Sequence, residues 1–294
     1  MFKIFKSQRF FRLWKKILRV INIMKRDYKA YLGGSIILVI LIAAAFAPYL
    51  APASPYATDV TRRLAGPSRQ NLLGTDSLGR DILSRLIYAA RPAMMVAFGA
   101  IIISVIIGIV TGLLAAYSGG VFDTIVIFIF DVVRAFPPII LILVLLSVVG
   151  PSLASVIIIL GITTMPRYGR VVRAETLSEK AEDYVESARS LGANNSRIIF
   201  KHIFPNIFAS VLVLSGMDMA SMIMWEAGIS FLGLGLQPPL SSWGVMLQES
   251  YQYIQTAPLM ILWPSLAIIL TMLGFSTFAE SLRIALNPKT GQEE

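Results

Sequence analysis

The chain holds no cysteine and one histidine, His202. Disulfides, thiolate metal sites and cysteine nucleophiles are therefore excluded in any redox compartment, and a histidine-based metal or acid–base cluster has no raw material. No Gly-x-x-x-x-Gly-Lys-Ser/Thr run occurs, so the phosphate-cradling loop of P-loop ATPases is missing too. Charge is scarce: Asp, Glu, Lys and Arg make up 15% of the 294 residues against 56% hydrophobic, where soluble globular chains carry about 25% charged. What is plentiful is long apolar sequence, and several runs exceed the ~18 residues that mark a membrane span.

About six such runs are expected as transmembrane helices: Tyr31 to Leu50, Ala93 to Tyr117, Phe122 to Val149, Ser152 to Met165, Ile207 to Leu236 and Leu259 to Leu286. Backbone amides in hydrocarbon must be satisfied internally, and runs this long suit helices rather than the ~10-residue alternating strands of a barrel. The expected fold is an all-α, multi-pass membrane bundle over residues 31–294, preceded by an amphipathic segment over residues 1–30. That segment interleaves Lys3, Lys6, Arg9, Arg12, Lys15 and Lys16 with Phe2, Phe5, Phe10, Phe11 and Trp14, the pattern of a helix lying among lipid headgroups.

Lysine and arginine beside the spans set orientation. The net charge of +9 gathers before Tyr31 and again from Arg167 to Pro205, which places both stretches, and by span counting both termini, on the cytoplasmic side of the cell inner membrane. The loop from Ala51 to Arg91 belongs outside, although it too carries arginines.

A charge at mid-membrane costs about 2.5–3.5 kcal/mol on insertion scales, so it normally faces a bundle interior or water. Asp131, Arg134, Asp218 and Glu226 are the candidates for a translocation path. Asp131 and Arg134 stand three residues apart and are expected to pair, whereas Asp218 has no obvious neighbour. Pro137-Pro138 should kink the third span, and Gly108 with Gly112 forms a close-packing pair.

The stretch from Glu182 to Ala193 places Tyr184, Val185, Ala188 and Leu191 on one helical face and Glu182, Asp183, Glu186 and Arg189 on the other. Gly192 is expected to stop that helix, and Asn194 to Lys201 to begin a second one. Glu186-Ser187-Ala188, three residues, Gly192, nine residues, His202, one residue, then Phe204-Pro205 resembles the signature loop of ABC importer permeases. Ser187, His202 and Phe204 are mild departures from its Ala, Ile and Leu. Two further stretches, Gly74 to Arg85 and Glu226 to Pro239 followed by Trp243-Gly244, are similar to the second permease of oligopeptide, dipeptide and nickel uptake systems. In the first of these, Asp76 or Ser77 is expected as a helix cap and Asp81 with Arg85 as an i,i+4 pair.

The resemblance implies a type I importer permease fold and a non-catalytic subunit that forms the path with a second homologous permease. It implies further that two cytoplasmic ATPases grip the loop of about residues 167–206 through Tyr184, Val185, Glu186, Ser187, Ala188, Leu191, Gly192 and Pro205. A soluble outer protein delivers the solute, ATP and Mg belong to the ATPases, and this chain binds no cofactor, metal or nucleic acid. Di- or oligopeptides are the implied cargo, with nickel or another small solute as the alternative. From other classes, an ion-coupled secondary transporter would use Asp131, Asp218 and Glu226 as proton sites, and a membrane scaffold would leave those charges without a purpose.

Overall fold

A computed structural model describes residues 20–237 and 239–286. Only residues 20–30 of the expected N-terminal amphipathic segment are among them, with 20–24 helical; the remainder of that segment, Pro238 and the C-terminal eight residues lie outside the described residues. Among the described residues the regular structure is helical, with one isolated bridge between Thr75 and Asp81 and no strand.

Helix α1 (Tyr28–Ala45) begins at Asp27, whose carboxylate accepts from the Lys29 amide at 2.9 Å. It stops five residues short of the expected Leu50, because Pro48 cannot donate to the preceding turn and Ala47–Leu50 forms a separate short helix. The carbonyls left at the end of α1 are taken by Arg91, with Nε 2.8 Å from the Ala44 oxygen and Nη2 3.3 Å from that of Ala45. Helix α2 (Ile82–Ser118) starts well before the expected Ala93, capped by Asp81, whose side chain accepts from the Ser84 amide at 2.7 Å. Its 37 residues rise about 55 Å, which exceeds the ~30 Å hydrocarbon layer.

Helices α3 (Gly120–Ala135) and α4 (Pro138–Val149) divide the expected third span. The anticipated kink is a break of 92°, since Phe136 and Pro137 adopt extended backbone and Pro138 opens the next helix. Helix α5 (Leu153–Lys180) runs far past the expected end at Met165. Helix α6 (Asp183–Ser190) is followed by one turn, Asn195–Ile198, a π-turn over Ile199–Ile203 and α7 (Phe204–Phe231). Helices α8 (Trp243–Tyr251) and α9 (Leu259–Leu286) complete the described chain. Helices α1, α2, α7 with its preceding turns, and α9 are each long and apolar enough to cross a membrane alone, and the bent pair α3–α4 would make a fifth span. Helix α5 has only its first half apolar, yet it lies along α2, so the count of about six is approximate.

Glycines decide how α2 meets α5. A Cβ on Gly108 would lie 2.4 Å from that of Tyr168, one on Gly112 2.5 Å from the Gly169 oxygen, and one on Gly161 2.7 Å from Ile103. The Ser104 hydroxyl donates to the Gly161 carbonyl at 2.8 Å, and Lys180 Nζ reaches the Ala116 carbonyl at 2.9 Å. Matching positions rise together along both helices, so α2 and α5 run parallel, and α3–α4 must carry the chain back between them. One end of the bundle gathers the loop 51–81 with α8, tied by Arg63 to Tyr253 at 2.9 Å. The opposite end gathers the start of α1, the end of α9 and α6, with the Ser281 hydroxyl donating to Asp27 at 2.6 Å.

Gly112→Val should lower the melting midpoint of the detergent-solubilised protein, since overpacking a close helix contact costs about 1–3 kcal/mol. Gly228→Ala, where an added Cβ meets nothing within 4 Å, should leave it unchanged. Equal midpoints for the two variants, followed by size-exclusion after heating, would refute the packing role of the α2–α5 glycines.

Candidate functional site: the elbow between α5 and α7 and the charged face above it

The elbow is built from its end caps. Helix α6 has Asp183 and Glu186 in its first turn and Arg189 in its last, each favourably placed in the helix dipole. At its C-terminus Gly192 takes φ +79°, the Gly192 amide donates to the Arg189 carbonyl at 2.9 Å and the Ala193 amide to that of Ala188 at 3.0 Å. Those two bonds are a Schellman motif, which requires the left-handed conformation that glycine adopts without strain. Asn194 then caps the next turn by accepting from the Arg197 amide at 2.9 Å. The second helix expected from Asn194 does begin there, and the π-turn leads it directly into α7 with Pro205 in the first turn.

Val185, Ile198 and Ile203 are fully buried in the bundle core. Ala188 is half-buried. Tyr184 is bound at the side: its hydroxyl donates to Glu179 on α5, and Asn206 Nδ2 on α7 lies 2.9 Å from the same carboxylate and 3.0 Å from the Tyr184 oxygen. Burial, reinforced by the Glu179 carboxylate, pushes the Tyr184 hydroxyl up to about 12, so it stays a donor at neutral pH. The face expected to hold Tyr184, Val185, Ala188 and Leu191 together is therefore divided. Leu191 falls just after α6 ends and points outward, 89% exposed, as does Phe200 at 69%; Glu186, Ser187, Arg189 and Pro205 are exposed with them.

Of the intramembrane charges, Asp131 pairs with Arg170 on α5 and not with Arg134. Arg134 is exposed on α3. Asp218 has a partner after all: Arg167 Nη1 lies 2.6 Å from its Oδ1. A third bridge joins Arg173 to Asp123 on α3 through two contacts of 2.5 Å. Arg167, Arg170 and Arg173, counted from sequence as loop cations, thus face α7 and α3 from one helix; their spacing of three was the available signal. Glu226 lies apart from these, fully buried near the far end of α7, and accepts from the Ser230 hydroxyl at 2.7 Å.

At the other end of the bundle the Gly74 to Arg85 stretch is a structural knot. Asp76, 1% exposed, accepts from the amides of Leu78 at 2.8 Å and Arg80 at 2.9 Å, from Arg80 Nε at 2.6 Å and from Arg85 Nη1 at 2.5 Å. Arg80 and Arg85 continue to Glu249 on α8 at 2.9 and 2.6 Å. The cap is Asp81 rather than Asp76 or Ser77, and Arg85 pairs with Asp76 and Glu249 instead of Asp81. Gly79, at φ +73°, would press a Cβ to 1.8 Å from the Asp59 carbonyl. The start of α8 packs closely on the end of α7, since a Cβ on Gly244 would lie 2.5 Å from the Ala227 oxygen.

Asp76→Ala removes the buried carboxylate that Arg80 and Arg85 share and leaves buried Arg85 only Glu249, and breaking a buried pair costs about 3–5 kcal/mol. Its unfolding midpoint should drop well below that of Glu249→Gln, which leaves Asp76 in place. A smaller drop for Asp76→Ala than for Glu249→Gln in a thermal melt would show that Asp76 is not the centre of the knot.

The comparisons with known proteins agree with this geometry. Residues 108–292 match the family described as binding-protein-dependent transport system inner membrane component, and residues 13–67 match the N-terminal TM domain of oligopeptide transport permease C. The chain is 40% identical to a dipeptide transport system permease protein of Alkalihalophilus pseudofirmus over 90% of this chain and 88% of that one. It is 39% identical to a glutathione transport system permease protein of Pectobacterium atrosepticum over 94% and 90% of the two chains. Among solved structures, a chain of the inward-facing methionine ABC transporter MetNI superposes with TM-score 0.55 at 19% identity, covering 70% of this chain and 98% of that one, which shows the shared fold. A multi-pass helical bundle with a capped elbow between two of its long helices, matched over most of its length, belongs to the binding-protein-dependent transport system inner membrane component family, the permease subunits of ABC importers.

Proposed function

We propose that this chain forms, with a second homologous permease, the route by which di- or oligopeptides cross the cytoplasmic membrane, driven by two ATPase subunits that dock on the elbow. The observation that carries this reading is the elbow itself. Its inner side is fixed to α5 and α7 through Val185, Ile198 and the Tyr184–Glu179–Asn206 bonds, while Leu191, Phe200, Glu186 and Arg189 are left uncovered. A rigid projection with an uncovered apolar tip transmits a push from a partner to both helices at once. Hydrolysis belongs to the ATPases, where ATP and Mg are bound, and this chain acts without catalysis.

The basic flank before Tyr31 and the arginines after Met165 support a cytoplasmic elbow with both termini on the same side. The loop 51–81 and α8 then form the outer end, where a solute-binding protein delivers cargo. Peptides are favoured over nickel because the relatives are named for dipeptide, glutathione and di/tripeptide transport. An ion-coupled carrier fits less well, since Asp131 and Asp218 are engaged by arginines.

A tagged chain should co-purify with a second permease and ATPase subunits. Gly192→Trp should insert normally but cut ATP-dependent uptake of labelled peptide into proteoliposomes at least tenfold, because φ +79° is strained for any side chain even though the surrounding space is open. Uptake at the wild-type rate would refute the coupling role of the elbow.

A further inference from the structure

Asp218 sits at the middle of the 28-residue α7, about 21 Å from either end at 1.5 Å per residue. The Arg167 guanidinium, bonded to it at 2.6 Å, lies at the same depth, yet the arginine side chain is 51% exposed while Asp218 is 3% exposed. The carboxylate is thus inside the bundle and the cation on its surface. An arginine at mid-membrane depth does not face acyl chains when the alternative is water or protein, and Asp218 takes only one of its donors. Around Arg167 the same surface of α5 carries Arg170, which holds Asp131 of α3, and Arg134 is exposed one turn further along α3. At the level of Arg167 and Arg170 three arginines therefore stand against two carboxylates, a local excess of positive charge, while Glu175 lies about two turns nearer the elbow against Ser210 of α7. Exposed Met217 precedes Asp218 on α7, and a flexible thioether adapts to side chains of varied shape.

We propose that Arg167, oriented by Asp218, is a specificity-determining residue of the translocation path that binds carboxylate groups of the passing solute. The inference rests on the peptide-importer reading above. A guanidinium with donors left over pairs with a carboxylate in a fixed geometry, and a surplus cation in a narrow path raises the passage rate of acidic cargo over basic cargo. Asp218 acts as a positioning residue that keeps the guanidinium fork from swinging away.

The complete transporter, with both permeases, its ATPases and its binding protein, is reconstituted in proteoliposomes and given Ala-Glu-Ala and Ala-Lys-Ala separately. Arg167→Gln should lower the ratio of acidic to basic peptide uptake about tenfold relative to wild type, and Arg167→Lys should keep it within about threefold. Because Arg167→Gln leaves Asp218 buried without its cation, the double variant Arg167→Gln/Asp218→Asn, which replaces the ion pair by an amide pair, should reproduce the lowered ratio with normal assembly. An unchanged ratio, an equal fall in both peptides, or loss of the second permease from the purified double variant would overturn the proposal, the last by making Arg167 an assembly contact. Wild-type transporter that takes up neither peptide would instead overturn the peptide reading and this inference with it.

Discussion

Charges placed within a membrane bundle must be answered from within the protein, and for three carboxylates here one helix supplies the answers. Arg167, Arg170 and Arg173 of α5 reach Asp218 on α7 and Asp131 and Asp123 on α3. On its far side α5 is pressed against α2 so closely that Gly108, Gly112 and Gly161 have no room for a side chain. Ion pairs on one face and glycines on the other make α5 the member to which α2, α3 and α7 are all fastened. The apolar faces that remain provide no comparable directional preference, because lipid is as good a neighbour for leucine as another helix is.

That arrangement joins the elbow to the middle of the bundle. Glu179, at the end of α5, holds Tyr184 and Asn206, while Arg167, nearer the middle of the same helix, holds Asp218. In the proposed function, movement of α6 would be conveyed along α5 and α7 as a unit to the charged face. In the reading proposed here, the part of the molecule that receives force and the part that meets cargo are two stations on one pair of helices. The knot of Asp76, Arg80, Arg85 and Glu249 anchors the opposite end, tying the loop 51–81 to α8.

The features legible in the sequence were those set by local rules. Helix α6 and its stop at Gly192 followed from apolar spacing and from the one residue type that adopts a left-handed turn freely, and Gly108 with Gly112 announced a tight helix contact. What escaped was decided by partners distant along the chain. Arg167 to Arg173 looked like a polar loop because nothing nearby in sequence reveals that Asp123, Asp131 and Asp218 await them, so α5 was cut short at Met165. Asp131 and Arg134 were close in sequence, yet α5 offered Asp131 a different arginine. Leu191 obeyed the helical period until the helix ended one residue earlier and turned it outward. Asp76 and Asp81 both had the chemistry of a cap, and only the fold of the loop assigned the role to Asp81.

The parallel course of α2 and α5 has an electrostatic outcome. Most neighbouring helices in a serpentine bundle point in opposite directions, so their peptide dipoles offset one another; these two reinforce, and both turn their carbonyl-rich ends toward the elbow. Negative potential accumulates there, and Lys180 sits in it, bonded to the Ala116 oxygen and placed 5.0 Å over the Tyr117 ring. The Tyr117 hydroxyl in turn donates to Asn195 at 2.7 Å. The base of the projection is therefore seated on a small electronegative platform with its own counter-cation, and the two helices that share a direction are locked together where the chain departs from them.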